Sequence, residues 1–213
     1  MQIVIVLYDR FTALDAVGPY QVLSSMPGAK VVFAAEQAGR VSDDERSLHL
    51  SAEAALADVP SPDVLVVPGG PGQHDQMDGG PLHDWLRAAD QGTIWTTSVC
   101  TGSLILAGAG LLNGRRATSH WLALGELGQH GAFPVSERVV FDGKYVTAAG
   151  VSAGIDMGLA LAGQIAGDVA AQAIQLGIEY DPQPPYDAGS PDRAPAGIVA
   201  AMRARSRFIL TGS

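Results

Sequence analysis

Short, mostly apolar or β-branched runs recur along the chain at residues 3–7, 30–34, 64–67 and 93–99, separated by stretches with helical spacing. A strand with water on one face alternates apolar and polar residues, whereas a strand covered on both faces reads apolar throughout. Repetition of that unit predicts an α/β fold, a mostly parallel sheet flanked by helices on both faces. A hairpin is expected from residues 139–141 and 145–148, joined across Asp142-Gly143-Lys144. Helices are expected near residues 18–25, 82–89, 102–109, 121–127, 153–166 and 169–178. The Gly18-Pro19 pair reads as the entry to the first of these, because proline is favoured in a first helical turn. That reading leaves Asp15 in the loop after the first strand.

With 213 residues of which 47% are hydrophobic, the chain can bury a large core, and residues 1–213 read as one domain without repeats or linkers. Residues 179–186 are too rich in proline for a helix and are expected to run extended over the surface. An amphipathic stretch at residues 196–209 is expected to dock back on the body, with residues 211–213 fraying. The net charge of -9, with only 13 Lys and Arg, argues against nucleic acid and against an anionic membrane surface. The opening residues lack a basic segment, a long apolar core and a cleavage site, so they read as a first core strand and not as a signal. No apolar stretch reaches the ~18 residues of a membrane span, and one cysteine cannot form an internal disulfide. The cytoplasm is the expected compartment.

That cysteine, Cys100, closes the run at 93–99 and is followed by Thr101-Gly102-Ser103, where a strand would turn sharply into a helix. A thiol at such an elbow projects from the carboxyl edge of the sheet, and the following helix N-terminus is expected to lower its pKa toward thiolate. The alternative is a buried structural cysteine, since a free thiol packs like a small hydrophobe. Ligands of open parallel sheets bind beyond the carboxyl ends of the strands. Asp15, the turn Pro68-Gly69-Gly70-Pro71-Gly72 and Cys100 all fall at such ends.

Each has a structural and a chemical reading. The glycine turn matches neither phosphate-binding pattern, and Pro71 removes a donor, so a tight turn is favoured over a phosphate cradle. The Gly70 and Thr101 N–H groups could stabilise charge developing beside Cys100. Asp15 is either a turn or capping residue, or a carboxyl group whose pKa is raised beside a thiolate so that it donates a proton. Thr101 starts a helix or hydrogen-bonds a substrate. His120, in Thr118-Ser119-His120-Trp121, lies at another strand-to-helix junction, where packing competes with catalysis. The remaining histidines show no metal-ligand spacing, and no metal is expected.

The segments Ser98-Val99-Cys100-Thr101-Gly102-Ser103, Pro68-Gly69-Gly70 and Ala117-Thr118-Ser119-His120-Trp121 resemble the PfpI-like superfamily. So do Leu14-Asp15-Ala16-Val17-Gly18-Pro19, Gly150-Val151-Ser152-Ala153-Gly154-Ile155-Asp156 and Glu179-Tyr180-Asp181-Pro182-Gln183-Pro184-Pro185. The resemblance implies a flavodoxin-like, class I glutamine amidotransferase-like fold with a nucleophile elbow. Within the superfamily the chain is most similar to the isonitrile hydratases. That similarity implies Cys100 as nucleophile, Asp15 as acid and base, and Thr101 as a supporting donor; Gly70 stands beside them as the backbone candidate for the oxyanion, and His120 and Gly150 as candidate pocket residues. It also implies a homodimer, a small neutral isonitrile as substrate and no cofactor. Peptidase-like members carry histidine after the cysteine, where this chain has Thr101, which counts against proteolysis. The rival functions are a glyoxalase or deglycase, and a small-molecule or redox sensor. Against a regulator stand the acidic charge and the absence of room before Ser213 for a helix-turn-helix pair.

Overall fold

The computed structural model describes residues 1–206. In chain order the elements are β1 (Gln2–Val6), α1 (Ala13–Leu23), β2 (Lys30–Ala35), β3 (Gly39–Ser42), β4 (His49–Ala52), β5 (Ala54–Ala55) and β6 (Val64–Val67). They continue with α2 (Pro81–Asp90), β7 (Trp95–Val99), α3 (Gly102–Gly108), β8 (Arg116–Ala117), β9 (Phe133–Pro134), β10 (Val139–Asp142), β11 (Tyr145–Ala148), α4 (Ala153–Ala166), α5 (Asp168–Gly177) and α6 (Ala196–Ala204). The principal sheet has seven strands in the order β10-β11-β7-β6-β1-β2-β5, parallel except where β10 runs against β11. Its centre is dry. Residues Ile3 to Val6 and Val64 to Val67 are fully buried, as expected for strands covered by helices on both faces.

The expected strands and the hairpin are present with small shifts at their ends. The first helix is different. It begins at Ala13, so Asp15 lies in its first turn and Pro19 inside it, where proline removes the hydrogen bond to the Asp15 carbonyl. The reason is packing against α4. A Cβ on Gly18 would meet Ile155 Cγ1 at 3.2 Å, and one on Gly154 would meet the Pro19 ring at 3.1 Å. Gly18-Pro19 therefore marks the close crossing of α1 and α4, not a helix entry.

The helix expected at 121–127 is instead a turn followed by a 3-10 segment, Leu124–His130. Gly125 and Gly128 weaken a helix there, while Leu127 anchors the segment in the core. The antiparallel pair of β3 and β4 carried no strong apolar run. Residues 179–186 contain no helix or strand, as expected. α6 has no fully buried residue. It borders a groove of about 480 Å³ with Leu122, and Arg203 sits 5.6 Å from the Trp121 ring centroid. The rest of the amphipathic stretch expected to residue 209, and the terminus at 211–213, lie outside the described residues. Among those residues, no helix is long and apolar enough to cross a membrane.

Candidate active site

β1 sends the chain to β2 on one side while β6 lies on its other side, so the crevice above β1 and β6 is where such a sheet binds ligands. Asp15, Gly69-Gly70 and Cys100 meet there. The Thr12 N–H donates to the Gly69 carbonyl at 2.8 Å, and the Gly69 N–H donates to Asp15 Oδ2 at 2.9 Å. The start of α1 is thereby stitched to the turn after β6. The same turn is stitched to the elbow, because the Gly70 N–H donates to Thr101 Oγ1 at 3.0 Å. A Cβ on Gly69 would stand 2.4 Å from the Thr101 nitrogen and 2.9 Å from Cys100 Cβ, so only glycine permits this approach.

Cys100 occupies the left-handed region with φ of 57°, a strained conformation for a residue with a side chain. Its backbone is held from several sides. The N–H donates to the Ala148 and Ala149 carbonyls at 3.0 and 2.9 Å, and the carbonyl accepts from Ser103 Oγ at 3.1 Å and Ser119 Oγ at 3.0 Å. The strain is thus fixed by the neighbours of β7 and α3 and aims the thiol toward Asp15, with which it interacts directly. Asp15 Oδ1 is buried and makes no well-formed hydrogen bond.

Residues 1–164 match the DJ-1/PfpI family. The chain belongs to the DJ-1/PfpI family. An isonitrile hydratase from Pseudomonas putida is 42% identical over 206 residues, which cover 97% of this chain and 90% of that protein. A THiJ/PfpI family protein from Pseudomonas syringae superimposes with a TM-score of 0.93 at 37% identity, over 96% of this chain and 85% of that one. Drosophila melanogaster DJ-1beta shares the fold at 23% identity, with a TM-score of 0.76 over 84% of this chain and 97% of that one.

The electrostatics of this DJ-1/PfpI site differ from the expectation of a thiolate. Burial holds the Cys100 thiol well above its ordinary value, and Asp15 adds to the rise, while the N–H groups of Thr101 and Val151 pull the other way. Cys100 is fully buried, and loss of water outweighs the dipole of a helix only seven residues long. Asp15 is likewise raised, to about 8, chiefly by burial; hydrogen bonds from Gly69 and Cys100 lower it and Asp44 raises it. At neutral pH the pair is therefore a thiol beside a carboxylic acid.

Gly70 also departs from the expected arrangement. Its N–H is engaged by Thr101 Oγ1 and is not an open donor toward a developing oxyanion. Thr101, also fully buried, ties the loop to the elbow through its hydroxyl and turns its N–H toward the Cys100 sulfur. Its hydroxyl is thus committed to the loop. His120 is largely buried, and burial lowers its pKa to about 4, so the imidazole is neutral. Its ring lies over Gly150, where a Cβ would meet Cδ2 at 2.8 Å, and its Nδ1 accepts from the Leu122 N–H at 3.3 Å.

Three neighbours escaped the sequence reading. Tyr8 donates to the Pro68 carbonyl at 2.9 Å, and burial, then Asp15 and Cys100, raise its pKa; its place just beyond the first strand was the available signal. Ser119 adjoins His120 in the quoted motif. Val151 acts through its backbone, which leaves no mark in the sequence. Among the described residues, no group of three or more His, Cys, Asp or Glu could hold a metal ion.

Proposed function

We propose that this protein hydrates isonitriles, R–N≡C, to N-substituted formamides, with Cys100 as nucleophile at the elbow and Asp15 as acid and base. The observation that carries this reading is the direct pairing of Asp15, its pKa raised to about 8 by burial, with the Cys100 thiol. An isonitrile is uncharged, and its terminal carbon must gain both a nucleophile and a proton. As Sγ bonds to that carbon, the acid proton of Asp15 passes to the same carbon, and the thiol proton replaces it on the carboxyl group. The product is a neutral thioimidate, Cys–S–CH=N–R. Water then adds across the C=N bond, its oxygen to carbon and its proton to nitrogen by way of Asp15. Loss of the hydroxyl proton, rupture of C–S and reprotonation of sulfur release the formamide and restore both groups.

Oδ2 is occupied by the Gly69 N–H, which leaves Oδ1 as the oxygen that carries the transferable proton. Thr101 and Gly70 hold the loop that presents Asp15 to Cys100, and His120 and Gly150 border the pocket as neutral groups. The likeness to the Pseudomonas putida isonitrile hydratase supports the substrate class. The test is turnover of one aromatic and one aliphatic isonitrile beside methylglyoxal by purified protein. Formamide production that falls below about a tenth in a folded Cys100→Ala variant is expected. Turnover of methylglyoxal alone, or an active Cys100→Ala variant, overturns the proposal.

A further inference from the structure

The site uses Gly150 and Val151 but accounts neither for the rest of the motif at residues 150–156 nor for the Glu179-Tyr180-Asp181 turn, and the structure joins the two through Arg138. The Arg138 carbonyl accepts from the Ala149 N–H at 2.9 Å. Its Nη2 donates to Ser152 Oγ at 3.2 Å, and its Nε donates to Asp156 Oδ2 in the first turn of α4. One residue therefore grips the chain on both sides of Val151. Tyr180 closes the cluster through its hydroxyl, which interacts with both Asp156 and Arg138.

One local feature shows that this cluster displaces an ordinary preference, and a second shows how the Tyr180 turn is fixed. Ser152 stands at the N-cap of α4, where its hydroxyl would normally bond a free helical N–H, but it makes no capping bond and serves Arg138 instead. Glu179 adopts φ of 50° just past α5, the left-handed position that commonly closes a helix. The turn is kept by the Tyr180 N–H donating to the Gln175 carbonyl at 3.0 Å and by Gln175 Nε2 donating to the Tyr180 carbonyl at 3.1 Å. Its result is to bring the Tyr180 ring to the start of α4.

We propose that Arg138 and Tyr180 are positioning residues, which clamp the turn at residues 150–152 so that the Val151 N–H stays on the Cys100 sulfur. This rests on the reading of Cys100 as the nucleophile. The Arg138 and Asp156 side chains are 51% and 29% exposed, so the pair adds little to global stability. Its effect is on geometry. An N–H held against sulfur favours sulfur when it carries negative charge, and a small displacement of the turn removes that contact.

The test reads the sulfur independently of any substrate, by the pH dependence of Cys100 alkylation with iodoacetamide. The titratable groups that face the thiol, unchanged by the substitutions tested, are Asp15 and Tyr8, with Asp44 behind them and His120 across Gly150. In Arg138→Gln the apparent midpoint should rise by roughly half a pH unit or more. kcat for an isonitrile should fall about threefold to tenfold with KM little changed. Tyr180→Phe, which removes only a hydroxyl group, should move both in the same direction by less. An unchanged midpoint in both folded variants overturns the clamp. A shifted midpoint in a protein that turns over no isonitrile upholds it and refutes the hydratase reading alone.

Discussion

Asp15→Asn tests the central claim about this site, because asparagine keeps an oxygen for the Gly69 N–H and loses the titratable proton. Burial raises the Asp15 pKa from 3.8 to about 8 in the folded protein. A carboxyl group that holds its proton more tightly when folded stabilises fully below its unfolded pKa, and that stability is lost as pH rises through the folded value. A rise of about four pH units, at about 1.4 kcal/mol each, bounds the loss at roughly 6 kcal/mol; water penetration and relaxation reduce it to a few. Urea unfolding of wild type and variant at several pH values between about 5 and 8 should therefore show curves that diverge, with the variant gaining by a few kcal/mol at the alkaline end. Subtraction removes contributions common to both proteins. Parallel curves would refute a buried, protonated Asp15. Turnover of isonitrile should fall on the order of 10²-fold in the same variant, since the amide cannot pass a proton to carbon. Wild-type turnover would reduce Asp15 to a helix-start residue.

Gly69→Ala places a Cβ 2.4 Å from the Thr101 nitrogen, a clash with backbone. It should abolish turnover and lower the thermal midpoint by several degrees, and an active, equally stable variant would mean that the loop yields easily. Thr101→Val deprives the Gly70 N–H of its acceptor but keeps the Thr101 N–H. It should slow turnover about tenfold, well short of the loss in Cys100→Ala, and an unchanged rate would remove the loop from the mechanism. Light scattering at micromolar concentration should return about twice 22.0 kDa, the homodimer implied by the family resemblance; a monomer would contradict it.

The sheet was legible because its central strands are apolar on both faces and the others are rich in β-branched residues, a pattern that survives without tertiary information. β6 runs over Val64–Val67 as expected, and α4 over Ala153–Ala166. The topological rule that ligands gather at strand ends is enough to group Asp15, Gly69-Gly70 and Cys100 from the sequence. What remained hidden depends on packing between distant segments. Gly18-Pro19 looked like a helix entry because local preference favours proline there, whereas the contact with Gly154 and Ile155 belongs to α4, more than a hundred residues on. The choice between a thiolate and a buried thiol at Cys100 is hidden from the sequence for a related reason. A helix N-terminus is visible in sequence, but the extent of burial that outweighs it is not. The Val151 N–H, being backbone, could be located only once the turn at 150–152 was folded against the elbow.

A neutral resting pair changes what the site asks of its substrate. An anionic thiolate beside an ionised carboxylate would repel negative ligands and require a cation nearby, whereas a thiol beside a carboxylic acid carries no charge into a dry crevice. The reaction proposed here keeps that neutrality, because the thioimidate carbon receives one proton for each sulfur bond it gains. Asp15 can serve both halves for the same reason: after each transfer it again holds one proton. The opposing influences on the pair then have distinct uses. Burial keeps the proton on Asp15 until an acceptor carbon arrives, while the Thr101 and Val151 N–H groups favour the sulfur as it gives up its own proton and begins to bond.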